Sequence, residues 1–308
     1  MKGLTFQRRI GCGRLAVQQR KRQPGINEKG CAEMFDSLTS TVTLHNGVKM
    51  PVMGLGVWKA KDGPEVESAV KYAVEAGYRS IDTAAAYGNE EGVGNAIRDC
   101  GVPREDLFIT TKLWNANHGY DSTLRAFDSS MKKLKLDYLN LYLIHWPVKG
   151  KYKDTWRAME KLYEDGRIRA IGVCNFHIHH LEDLIDSAHV TPMVDQVEFH
   201  PLLTQEELRE FCRRNKIQLE AWSPLMQGRL DLPVLKQLGE KYGKSPAQII
   251  LRWDLQNEVV TIPKSVHKER IIENSNVFDF ELSDDDMETI SSQNQNRRFG
   301  ADPDNFNF

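Results

Sequence analysis

Asp82, Lys112 and His145 each stand directly after a short apolar run, in RSID, LFITTK and YLNLYLIH. Runs that apolar are buried on both faces, so an ionisable group at their end meets little water and needs a partner. Asp82 and Lys112 can serve each other in that way. Tyr87 follows Asp82 by five positions and can reach the same spot. A phenol beside an ammonium has its phenolate favoured, which is expected to lower its pKa from about 10 toward a range useful to a general acid. An acid for an oxygen atom, a lysine that tunes it, an aspartate that holds the lysine and a histidine that orients a carbonyl form a set suited to carbonyl reduction.

Each residue alone has a plainer reading. Asp82 reads as a cap for the next helix, Tyr87 as a loop aromatic, and His145, before Trp146 and Pro147, as a satisfied core histidine. Lys112 resists this treatment, because a lysine after FITT is costly to bury without purpose. The four together, at one end of three successive units, favour a shared site.

The elements that must position them follow a regular alternation. VTLHNGVKMP carries Asn46 and Gly47 between two short runs, which predicts a tight hairpin. GLGVW then reads as a strand. In GPEVESAVKYAVEAG, Val66, Ala69, Val70, Ala73 and Val74 fall at helical spacing, with Pro64 in the first turn and Gly77 at the end. RSID, LFITTK, YLNLYLIHW, IRAIGVCN, MVDQVEF, IQLEAWS and VVTIPKS continue the strands. NEEGVGNAIRDC, DSTLRAFDSSMKKL, TWRAMEKLYEDG, HHLEDLIDSA, TQEELREFCRR and SPAQIILRWDLQN read as helices, the fifth opened by a capping box from Thr204 to Glu207. DDDME after Ser283 reads as a helix first turn. Eight strand-like runs with helices between nearly all of them predict an α/β fold, a single (β/α)8 barrel (TIM barrel) with an N-terminal hairpin and a C-terminal loop and helix. An open doubly wound sheet would carry GxGxxG after its first strand. Gly11 and Gly13 lie before the fold, and Gly92 and Gly94 lie inside a helix. Barrel chemistry sits at the carboxyl ends of the strands, where Trp58, Asp82, Lys112, His145, Asn175, Gln196, Trp222, Ser223, Lys264 and Ser265 fall.

The bulk composition narrows the partners. A chain of 308 residues with 27% charged residues and net charge −2 gives no reason to expect nucleic acid. No apolar stretch approaches the roughly 20 residues that cross a bilayer, so no membrane role is expected. Five cysteines (Cys12, Cys31, Cys100, Cys174 and Cys212) lack disulfide or zinc spacing, which points to a reducing cytoplasm. Residues 1–33 are basic, hold no acid before Glu28 and lack apolar periodicity. They read as an extension or misassigned start ahead of Met34, with an Arg-rich transit peptide as the alternative, leaving 34–308 as the barrel. His177, His179 and His180 sit at a helix start without a fitting carboxylate, so a solvated face is expected and no metal. Cys174, not flanked by a base, reads as a pocket wall.

Reduction needs a hydride, and no metal or flavin motif is present. A nicotinamide needs amide anchors, a flat aromatic face and cations for phosphate. Asn175 and Gln196 offer the amides and Trp222 the face, while IPKSVHKERIIEN places Lys264, Ser265 and Arg270 around a helix amino terminus. Two cations on that segment favour NADPH over NADH.

GYRSIDTAAAYGNEEGVG, FITTKLW, LYLIHWP, AIGVCNF, DQVEFHPLLTQEEL, AWSPL and IPKSVHKERIIEN, in that order, resemble the signature set of the aldo-keto reductases over about Val42 to Phe280. HWPVKGKYKDTWRAMEKLYEDGRIRAIGV and EAWSPLMQG are similar to the bacterial branch of glyoxal/methylglyoxal reductases and 2,5-diketogluconate reductases. The resemblance implies Tyr87 as proton donor, Lys112 and Asp82 as its tuning pair, and His145 as the residue that orients the carbonyl. It implies Asn175 and Gln196 on the carboxamide, Trp222 on the nicotinamide, and Ser223 and Leu225 along the pyrophosphate. Lys264, Ser265 and Arg270 would take the 2′-phosphate, Glu273 and Asn274 the adenine, and Trp58, Trp114 and Trp146 would wall the substrate pocket. Cys174 stands where the family usually has Ser, which removes a hydroxyl donor, and Trp222 where Tyr is often found. The expected activity is NADPH-dependent reduction of small aldehydes and α-dicarbonyls by a monomer, with a cofactor-bound regulatory or structural role as the alternative. The short tail after Asn294 implies an open pocket.

Overall fold

Every strand expected to end in a candidate site residue lies in one parallel sheet. The computed structural model describes residue 1 and residues 35–308. The chain divides after Glu33, and the barrel lies in the unit from Met34 to Phe308. The expectations for the first 33 residues, Cys12 and Cys31 fall outside the described residues.

A two-stranded antiparallel hairpin, β1 (Thr41–Thr43) and β2 (Lys49–Pro51), comes first. Gly47, at φ 88°, takes the left-handed step its turn requires. The barrel strands are β3 (Leu55–Gly56), β4 (Ser80–Asp82), β5 (Phe108–Leu113), β6 (Leu139–Ile144), β7 (Ile168–Cys174), β8 (Val194–Glu198), β9 (Gln218–Trp222) and β10 (Val260–Thr261). They lie side by side in chain order, all parallel. The edges meet where Met53 bridges Thr261 and Gly56 bridges Lys264, with Gly54 N–H donating to the Thr261 carbonyl at 3.0 Å. The seam is tight, since a Cβ at Gly56 would lie 2.8 Å from the Ile262 carbonyl oxygen.

The helices α1 (Pro64–Glu75), α2 (Glu90–Asp99), α3 (Tyr120–Leu134), α4 (Tyr152–Glu164), α5 (Ile178–Ile185) and α6 (Glu206–Arg214) each follow one strand, and α7 (Pro233–Tyr242) and α8 (Pro246–Gln256) both lie between β9 and β10. α9 (Lys268–Ser275) and α10 (Asp284–Ser291) complete the set. α1 buries the five residues its periodicity picks out. α7 has no counterpart among the expected elements, although Pro233 at its start and Gly243 after its end are ordinary helix punctuation. α6 corrects the expected capping box: it opens on Gln205 in the left-handed region, φ 51°, with no side-chain cap, and Thr204 lies outside it. α8 does carry a capping box, from Ser245 to Gln248.

Candidate active site

The strand ends converge on a cavity of about 1260 Å³, larger than the roughly 300–1,000 Å³ of a drug-sized pocket and roomy enough for a dinucleotide with a small second ligand. Its lining holds Asp82, Tyr87 and His145 together with Asn175, Gln196, Trp222, Ser223, Leu225, Lys264, Ser265, Arg270, Glu273 and Asn274. Trp58, Trp114 and Trp146 also line it. Of the site residues expected from sequence, only Lys112 is absent from the wall. It lies beneath, wholly buried, and reaches the cavity through its neighbours.

Lys112, next to last in β5, points at β4. Its Nζ donates to Asp82 Oδ1 at 2.5 Å, to the Thr83 carbonyl at 2.9 Å and to Tyr87 Oη at 3.5 Å. Burial alone would push this ammonium toward its neutral form. The charge of Asp82, with help from Tyr87, outweighs that, and the net shift is upward, so Lys112 is a cation at neutral pH. Tyr87 reaches the pair through the short turn Ala85–Tyr87 after β4. Its pKa corrects the sequence expectation. Burial drives it above the ordinary 10.0, and Lys112 only pulls it partway back, so the group stands as a hydroxyl with its proton in place. His145 directly follows β6, its ring edge-on to Tyr87 with centroids 5.7 Å apart. Burial, then the charges of Lys112 and His118, hold its pKa well below 6.5, and it is a neutral imidazole.

The register of β7, β8 and β9 sets Cys174 beside Gln196 and Gln196 beside Glu220. Gln196 Nε2 donates to Asp82 Oδ2 at 2.9 Å and to Glu220 Oε2 at 2.8 Å. Two carboxyl groups accepting at one end fix its amide orientation and turn Oε1 toward the Cys174 thiol, 3.7 Å away. That oxygen therefore retains acceptor capacity for a ligand amide. Asn175, in the left-handed region at φ 65°, accepts from Trp222 Nε1 at 2.9 Å and donates to the His145 carbonyl at 3.0 Å, which fixes the indole plane. Cys174 is buried and its thiol pushed well above its ordinary pKa, so it is a wall and no nucleophile. Lys264 and Arg270, which also line the cavity, are exposed and form no ion pair among the described residues, while Ser265, next to Lys264 in the chain, is buried. Unpaired cations with a hydroxyl beside the start of α9 fit a phosphate, and the amide and indole groups fit a nicotinamide.

Glu220, Glu198 and the last residues of the chain join the site without having been marked by the strand-end rule. Glu220 shares strand parity with Trp222, a signal that it points inward. Burial, then the Asp82 charge, raise its pKa to about 8 from 4.5. The native state therefore holds a proton that the unfolded chain has lost between those values, so this group's contribution to stability is present at low pH and disappears as pH rises through about 8. Glu220→Gln should accordingly gain stability relative to wild type, on the order of a few kcal/mol, on going from about pH 5 to about pH 9. Thermal melts across that range would check it, and a constant difference would refute it.

Glu198 is wholly buried and accepts from Phe299 N–H at 2.7 Å and Gly300 N–H at 3.1 Å, tying the tail to the barrel mouth. A Cβ at Gly300 would lie 2.3 Å from the Trp222 ring. Beyond it, Phe308 stacks on Trp114 at 5.8 Å and meets Trp146 at 5.1 Å, and Phe306 lies 5.2 Å from Trp146. The expected open pocket is instead roofed by this aromatic tail, whose contacts are set by position and not by length. The tail also overturns the reading of the three histidines as lacking a carboxylate: Asp304 lies 2.9 Å from His177 and 3.0 Å from His179.

Residues 52–295 match the model of the Aldo/keto reductase family. The chain is 62% identical over 276 residues to glyoxal reductase of Bacillus subtilis, covering 89% of this chain and all of that protein. It is 50% identical to the methylglyoxal reductase DkgA of Escherichia coli K12, over 87% of this chain and 98% of that one. Among solved structures, a variant of Gox0644 in complex with NADPH superposes with a TM-score of 0.82 at 45% identity, over 87% of this chain and 98% of that chain. No helix among the described residues is long and apolar enough to cross a membrane. By its barrel, its buried strand-end cluster and these matches, the chain belongs to the aldo/keto reductase family.

Proposed function

We propose that the protein reduces small aldehydes and α-dicarbonyls, such as glyoxal and methylglyoxal and by extension diketo sugar acids, to alcohols with NADPH. The observation that carries this reading is the buried chain from Asp82 through Lys112 to the Tyr87 hydroxyl, opening on the cavity beside a neutral His145. NADPH bound along Trp222 and Arg270 supplies the hydride. Tyr87 gives its proton to the carbonyl oxygen as negative charge develops there, and the Lys112 ammonium stabilises the phenolate left behind. Neutral His145 orients the carbonyl. Asn175 and Gln196 hold the carboxamide, Ser223 and Leu225 flank the pyrophosphate, Lys264, Ser265 and Arg270 take the 2′-phosphate, and Glu273 with Asn274 the adenine. Trp58, Trp114 and Trp146 wall the substrate end. A monomer in a reducing cytoplasm completes the proposal, and the free state of Cys100, Cys174 and Cys212 supports that compartment.

The test is oxidation of NADPH by methylglyoxal, run with both cofactors on wild type and Arg270→Ala. Turnover is expected in wild type, and the variant should lose about 10- to 100-fold in NADPH affinity, the worth of a charge-assisted contact to phosphate, with NADH changed by less than about twofold. Equal losses for both cofactors would remove the 2′-phosphate assignment. Tight NADPH binding without turnover across a panel of aldehydes would replace the reductase by a cofactor-bound regulatory or structural protein.

A further inference from the structure

The loop after β7 brings His177, His179 and His180 to the opening of α5, and the tail folds Asp304 against all three. His177 Nδ1 lies 2.9 Å from Asp304 Oδ2, while His179 Nε2 and His180 Nε2 lie 3.0 and 3.4 Å from Oδ1. One donor atom from each of the four residues falls within 4.8 Å of the others. Tetrahedral ligands at about 2.0–2.1 Å from a shared ion are roughly 3.4 Å apart, so a modest contraction would close the set around a metal. We propose that His177, His179, His180 and Asp304 form a transition-metal site that ties the C-terminal tail to α5. Imidazole and carboxylate donors suit Zn²⁺ and its neighbours Co²⁺, Ni²⁺ and Cu²⁺, and three imidazoles discriminate against Mg²⁺ and Ca²⁺.

The hydrogen bonds rank the ligands. His179 has no partner for Nδ1 among the described residues, so its proton can move there and free Nε2 for the ion. His177 is more constrained: Nε2 accepts from the Arg298 guanidinium at 2.9 Å, which leaves the proton on Nδ1, where the metal would bind. His180 Nδ1 accepts from the His177 backbone N–H at 3.1 Å, so its Nε2 is also protonated until that bond is released. Arg298 therefore competes with the metal twice, through its charge and through the tautomer it imposes on His177. Arg298 also lies 4.0 Å from Asp302, on the same tail. Because Phe306 and Phe308 follow Asp304 closely and roof the cavity over Trp146 and Trp114, an ion here would hold that roof in place.

The experiment is titration of the untagged, chelator-treated full chain with Co²⁺, read by its visible d–d absorption, followed by displacement with Zn²⁺. One equivalent is expected to bind, with Asp304→Asn and His179→Ala each weakening it by about 10-fold or more, and Arg298→Ala tightening it. Absence of the absorption band, binding that neither Asp304→Asn nor His179→Ala weakens, or weaker binding in Arg298→Ala would each overturn the site. The readout is the metal spectrum, so its failure stands apart from any failure of reductase turnover.

Discussion

Tyr87→Phe is expected to lower kcat for methylglyoxal reduction by about two to four orders of magnitude, the usual worth of a positioned general acid, with the NADPH dissociation constant within about twofold of wild type. The substitution removes one oxygen and little else. The ring remains 5.7 Å from His145 and 5.1 Å from the Lys112 ammonium over its face, so cavity shape and the buried ion pair are retained. What disappears is the hydroxyl held 3.5 Å from Lys112. Since burial keeps that hydroxyl protonated, wild-type activity should persist across neutral pH and not fall at a low phenolic pKa. Stopped-flow turnover beside fluorescence titration of NADPH separates chemistry from binding. A variant that kept its rate within about tenfold would mean that the proton comes from elsewhere, water or His145 included.

How much of this is legible in the chain differs by residue, and the reason is contact range. Parallel strands buried on both faces read as unbroken apolar runs, so LFITTK and YLNLYLIH announce themselves and the polar residue that ends each run stands out. Asp82, Lys112, His145, Asn175, Gln196 and Trp222 emerge in that way, from local pattern and the rule that barrel chemistry gathers at one end. Glu198 and Glu220 lie inside runs, and only strand parity marks them as inward. Phe308 on Trp114 joins residues 194 positions apart, and Asp304 on His177 joins residues 127 apart. No period in the chain encodes such meetings. The same holds for the sign of the Tyr87 shift. The sequence names a neighbouring cation, but only the packed site shows that removal from water outweighs it. Gln205 is the local counterpart: the TQEE pattern suits a capping box, and the tertiary path of the preceding loop overrides it.

Lys112→Met should separate the two duties of the buried pair. Asp82 is 2% exposed, and removing its cation leaves a buried carboxylate without a counter-charge, a loss of about 3–5 kcal/mol and a clear drop in melting temperature. Turnover should fall as well, because no charge remains to stabilise a Tyr87 phenolate. The single variant cannot tell an essential cation from a damaged fold, but pairing it with Asp82→Asn can. With both charges gone, the amide introduced in place of Asp82 retains an oxygen for the Gln196 donor that now serves the carboxylate at 2.9 Å, and no ion is stranded. Stability in the double variant should return most of the way to wild type, as buried pairs replaced together are often neutral. Activity should not return with it. Recovery of both would reduce Lys112 to a structural partner of Asp82, whereas recovery of stability alone assigns the ammonium to proton donation by Tyr87. Melting temperature and kcat measured on wild type, the two single variants and the double variant close that cycle.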